Sequence, residues 1–144
     1  MAELLQEPVQ AMNTIDFLQA FKEFLGRNGW PTDQSPWSIV ERWESLVDQV
    51  AEGYHWGLYE FANDLSVRDL LEKAFNDDQL RRFDQIEAMR KRVKNADDRL
   101  KASFLPGVQI GNIDAPWWHR GVLAAAGEEY LDDVGRLYGI EIRR

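Results

Sequence analysis

From Trp37 onward the chain repeats large apolar residues at helical intervals: Trp37, Val40, Trp43, Val47 and Val50, in steps of three, three, four and three. Ile39 and Leu46 widen the stripe, while Glu41, Glu44, Asp48 and Glu52 fall on the opposite face. Only a helix puts those two sets on two sides. Pro36 suits the first turn, where a missing N–H costs nothing, and Gly53 is a natural stop. A stripe with two tryptophans needs a covering surface, because most helical stability comes from packing the apolar face. The helix predicted over residues 36–52 therefore sets the fold class, and the rest of the chain must supply what covers it.

The neighbouring segments comply. Asn13 or Thr14 can cap a helix to about Leu25. Its broad face carries Ile15, Phe17, Leu18, Phe21 and Leu25, with Gly26 and Gly29 as terminators. Residues 1–12 contain Pro8, are weakly patterned and read as a partly ordered lead-in. Residues 28–35 are a loop rich in Gly, Pro and Asp. Residues 54–63 fit both periods: Tyr54, Leu58 and Phe61 suit a helix, Tyr54, Trp56 and Leu58 a strand. Helix is preferred, because no second strand of any length is available as a partner. In Leu65-Ser66-Val67-Arg68-Asp69-Leu70, Ser66 is predicted to cap the next helix. Asp69 would reach back to the Ser66 N–H, and Leu65 and Leu70 are spaced as a hydrophobic staple.

That helix is predicted to end near Phe75. Asn76-Asp77-Asp78 caps a long one to about Ala102, with Leu80, Phe83, Ile86, Met89 or Arg90, Val93 and Leu100 along its buried stripe. Pro106-Gly107 ends it, and residues 107–115 form a loop with a short extended piece at 108–110. Trp117 and Trp118 follow Pro116. Adjacent helical residues point about 100° apart, so both cannot occupy the same side. One is core; the other covers a helix end, packs inward elsewhere or lies exposed beside Arg120. A last helix spans residues 128–138, with Gly139 closing it and Ile140 packing back in a Schellman ending. The sum is an all-α chain, a compact bundle of five to seven helices in one domain over residues 1–144.

The charge is split. Residues 1–64 hold eleven Asp and Glu against three bases, a balance of −8 that equals the net charge of the whole chain. Residues 65–105 balance at +2 and residues 106–144 at −2. The acidic part also holds Trp30, Trp37, Trp43 and Trp56. An acidic surface with large aromatics suits a basic protein partner, and it repels nucleic acid and anionic membrane. The N-terminus lacks a basic, then apolar, leader pattern. No apolar run approaches the roughly 20 residues of a membrane span. The chain has no cysteine, which excludes disulfides, thiolate metal sites and a Cys nucleophile. The expectation is a cytoplasmic protein with no membrane and no nucleic-acid partner.

Chemistry-bearing residues are sparse. His55 and His119 lie in no metal-ligand spacing and read as ordinary surface or half-buried histidines. Glu128, Glu129, Asp132 and Asp133 share two turns near a helix N-terminus, where negative charge is favourable. They read first as a solvated face, next as a partner-binding face, and last as a Mg²⁺ or acid–base pair. Arg90, Lys91, Arg92 and Lys94 alternate with Asp84, Glu87, Asp97 and Asp98, as on a salt-bridged surface. No serine lies in a GxSxG context and no glycine-rich phosphate loop is present. No catalytic residue, metal or cofactor is expected.

The stretch Tyr59-Glu60-Phe61-Ala62-Asn63-Asp64-Leu65-Ser66-Val67-Arg68-Asp69-Leu70-Leu71-Glu72, with Trp117-Trp118 and Leu137-Tyr138-Gly139-Ile140, carries a resemblance. It resembles small acidic bacterial immunity proteins of polymorphic-toxin and contact-dependent inhibition systems. The resemblance implies a protein that binds its cognate toxin and blocks the toxin's active site or substrate surface. The charge balance adds that this toxin is basic, as nuclease-type toxins are. The predicted contact residues are Trp30, Glu41, Glu44, Asp48 and Glu52, flanked by Glu60 and Asp64. Two alternatives stand beside this reading: a small carboxylate-based enzyme, and a helical adaptor or regulatory subunit.

Overall fold

Helix α2 (Pro36–Glu52) runs through the middle of the molecule, and its stripe is covered as its sequence requires. Ile39, Val40 and Trp43 are wholly inaccessible to solvent. The computed structural model describes the backbone of residues 2–142 and the side chains of residues 14–142. Around α2 lie α1 (Ala2–Arg27), α3 (Leu58–Asp64), α4 (Ser66–Phe75), α5 (Gln85–Ala102), the single turn α6 (Trp117–Arg120) and α7 (Glu128–Tyr138). Helix accounts for 65% of the chain, with no strand among the described residues. The protein is all-α, a compact helical bundle.

The main packing is α2 against α5, with α4 laid over both. At that junction the core is polar. Arg68 from α4 and Asp97 from α5 are buried together, bound through Nε and Nη2 at 3.0 Å each. Asp97 also accepts the Trp43 indole N–H at 3.0 Å. The Arg68 guanidinium lies 4.2 Å from the centre of the Trp118 ring. A buried charge is tolerable only when paired and hydrogen-bonded in this way.

A second cluster ties the C-terminal half down. Tyr54, Phe61 and Tyr130 meet edge to face, with ring centres 5.1 to 6.4 Å apart. Tyr130 accepts the Leu123 N–H through its hydroxyl, and the Tyr54 hydroxyl donates to Asp64 at 2.6 Å. The segment after α5 zips onto the segment after α6: Leu105 N–H donates to Val122 O and Ala124 N–H to Ser103 O.

Several expectations give way. α1 begins at Ala2 and not at Asn13 or Thr14, so no separate lead-in precedes it in the backbone. The side chains of residues 1–12 lie outside the described set. Its buried face is narrower than predicted: Phe17, Phe21, Phe24 and Leu25 are buried, whereas Ile15 and Leu18 are 66% and 47% exposed. Leu18 shares an angular position with buried Leu25, so periodicity was right and coverage was missing. Ser66 caps nothing. α3 runs into α4 through Leu65 in helical conformation, and the Asp69 N–H finds the Leu65 carbonyl without help from a side chain. The staple pair Leu65 and Leu70 is buried as expected.

The long helix over 76–102 is two pieces. Asp77 caps a 3-10 turn (Leu80–Arg82), accepting from the Gln79 and Leu80 N–H groups. Phe83 is then extended, at φ −101° and ψ 136°, before α5 begins. The bend brings the Phe83 ring within 5.5 Å of Phe17, and leaves it half-buried instead of fully buried. In residues 54–63, helix starts only at Leu58; Tyr54 makes an isolated bridge to Ala126.

Candidate functional site

Gly53 ends α2 with φ +104°, a backbone state that favours glycine. Gly57 opens α3, so residues 54–56 form a strap between two glycines. Tyr54 anchors the strap inward, its carbonyl taken by the Gly127 N–H at 2.7 Å. The strap then has to turn Trp56 outward, and Trp56 is 57% exposed. Tyr59, on the first turn of α3, is 66% exposed.

Carboxylates gather at Gly57, which lies between these two aromatics in the chain. A Cβ built on Gly57 would meet Asp133 Oδ2 and Glu60 Oε2 at 2.7 Å and Glu129 Oε1 at 2.8 Å. Acids from α3 and α7, seventy residues apart in sequence, therefore converge on one glycine. Asp133 accepts the Leu58 N–H at 2.9 Å. That bond, with help from Arg136, holds its carboxyl below the ordinary carboxylate value. Glu60 and Glu129 have no cationic partner among the described residues. Burial, then the Asp64 hydrogen bond, pushes the Tyr54 hydroxyl well above its usual value, and nearby Glu60 and Glu129 add to the shift. Asp64 and Trp56 also line a cleft of about 320 Å³, together with Trp30, Arg42 and Asn63.

The predicted contact residues divide. Asp64 and Trp30 share that cleft, and Glu60 belongs to the carboxylate group beside it. Trp30 is half-buried against the core, with the Arg42 guanidinium 5.6 Å from its ring centre, and so it is a wall more than a projecting anchor. Glu41 and Glu52 are exposed on α2. Glu44 is bound through both oxygens by Arg92, and Asp48 by Arg99 at 2.6 Å. The outer face of α2 is thus partly neutralised by α5. Trp56, Tyr59, Glu129 and Asp133 were missing from the predicted set. The available signal was the pair Gly53 and Gly57, which marks a short strap that must expose something.

The two histidines differ. His55 is exposed on the strap. His119 Nε2 lies 2.8 and 2.9 Å from the two oxygens of Asp69, which also accepts the Trp118 indole N–H at 2.8 Å. Asp69, expected as a capping acid, clamps α6 to α4 instead. Trp118 is buried, and Trp117 is half-buried with its ring edge-on to Phe104. No group of three or more His, Asp or Glu among the described residues is placed to hold a metal ion. No helix among the described residues is long and apolar enough to cross a membrane.

No protein-family model, curated protein or solved structure matches this chain.

Proposed function

We propose that the chain is a non-catalytic immunity protein of the bacterial cytoplasm, and that it neutralises a basic cognate toxin by covering its active or substrate surface. The observation that supports this most is the pair of exposed aromatics, Trp56 and Tyr59, on either side of Gly57, where Glu60 and Glu129 converge with Asp133. Tryptophan and tyrosine are the residues that anchor protein interfaces, and uncompensated rim charge steers an oppositely charged partner in. The cleft lined by Trp30 and Trp56, with Asp64 on its wall, adds aromatic surface beside that face. Acids that converge from separate helices are also what a carboxylate enzyme needs. Asp133, however, is held as an ionised acceptor by Leu58 and Arg136, which unsuits it to donate a proton.

The reading is tested by co-expressing the chain with the product of the reading frame directly upstream. Rescue of growth and co-purification are the expected result. Failure to bind any neighbouring gene product would remove the immunity reading.

A further inference from the structure

Beside the loop after α5 lies an open pocket of about 580 Å³. That is within the usual range for small-molecule sites. Its polar groups are Lys101, Arg120 and Gln109, and no Asp or Glu lines it. Its apolar walls include Phe104, Val108 and Trp117. Lys101 Nζ sits 4.5 Å from the Trp117 ring centre and has no carboxylate partner among the described residues. The Arg120 guanidinium makes one long bond, Nη1 to Gln109 Oε1 at 3.4 Å, and its Nε is buried with no partner at all. In a chain of net charge −8, two cations therefore share one partly apolar pocket whose lining holds no carboxylate. Arg68, Arg92 and Arg99, by contrast, are each bound to an acid.

Two aromatic rings, Phe104 and Trp117, make part of the wall. The Phe104 ring lies so close over the chain at Gly121 that a Cβ there would meet ring carbons at 2.2 to 2.5 Å. Gly121 thus lets the ring lie on the backbone, next to the edge-on Trp117 indole. The geometry points to a binding site for a small aromatic carboxylate, its ring against Phe104 and Trp117 and its charge between Lys101 and Arg120. Such a group would supply the anion that both cations lack, and charge-assisted hydrogen bonds would add to ring packing.

The probes are naphthalene-2-carboxylate and its neutral analogue naphthalene-2-methanol, titrated into the full chain by calorimetry. The carboxylate is expected to bind saturably and at least about tenfold more tightly than the alcohol. Lys101→Glu changes an exposed position, and Val108→Trp fills the pocket from the loop. Each should weaken the carboxylate by about tenfold or more while the helical circular dichroism stays unchanged. Equal binding of alcohol and carboxylate, unchanged affinity in either folded variant, or no saturable binding up to about 5 mM would each overturn the assignment.

Discussion

Trp43 on α2 donates its indole N–H to Asp97 on α5 at 3.0 Å, in the same buried spot where Asp97 is gripped by Arg68 of α4. One carboxylate thus joins the three helices that make the centre of the bundle. Its charge is tolerated because the Trp43 indole N–H and the Arg68 Nε and Nη2 groups all donate to it.

Asp97→Ala should therefore cost about 3–5 kcal/mol, because Arg68 is left charged and buried. Trp43→Ala should cost a similar amount, about 3–5 kcal/mol, through the cavity it opens. Replacing both ions at once, as Arg68→Met with Asp97→Leu, should cost less than Asp97→Ala alone. Urea unfolding followed by circular dichroism measures all three. A loss under about 1 kcal/mol for Asp97→Ala would mean the pair is not sealed from water.

The buried tyrosines make the fold sensitive to base. Burial and the Asp64 hydrogen bond raise the Tyr54 hydroxyl far above its ordinary value, and burial pushes Tyr130 up to about 12. The folded chain keeps both protons where the unfolded chain releases them. Stability from these groups is thus complete below the unfolded value of 10.0 and is lost as pH rises beyond it. Unfolding free energy should fall steeply above about pH 10, and less steeply in Tyr54→Phe. Parallel slopes for the two proteins would contradict the assignment.

Asp133 works in the opposite direction. The Leu58 N–H and then Arg136 favour its ionised form, so its folded value is below the ordinary 3.8. Its contribution is present above 3.8 and is lost as pH falls through the lower folded value. Wild type should be more stable than Asp133→Asn near neutrality, with the gap closing as pH falls below 3.8. A gap that stays constant with pH would show that the carboxylate charge has no part in holding α3 to α7.

What could be read from the sequence depended on whether the signal was local. The α2 stripe was legible because seven apolar positions repeat without interruption. The break at Phe83 was hidden, because Leu80, Phe83 and Ile86 keep helical spacing across it; the extended residue that carries Phe83 to Phe17 leaves no mark on the period. Ser66 has good capping chemistry, but a cap is needed only where the preceding residue leaves the helix, and Leu65 does not. In the site, the acidity and aromaticity of the first half were plain. The pairing of Glu44 and Asp48 with Arg92 and Arg99 was not, since it depends on which faces of α2 and α5 meet. The meeting of Glu60 with Glu129 and Asp133 spans two helices far apart in sequence. No spacing rule predicts it.

The central claim is that the face round Trp56 and Gly57 receives a basic toxin, and association and dissociation rates test it most directly. The purified product of the upstream reading frame would be captured on a surface, and wild type, Glu60→Lys with Glu129→Lys, and Trp56→Ala passed over it at two salt concentrations. Exposed charge acts over a Debye length of about 8 Å at physiological ionic strength, so added salt should slow wild-type association. The charge-reversed variant should associate at least about tenfold more slowly, and Trp56→Ala should dissociate at least about tenfold faster, both with intact helical content. Unchanged rates in both variants would contradict the account and move the interface away from this face.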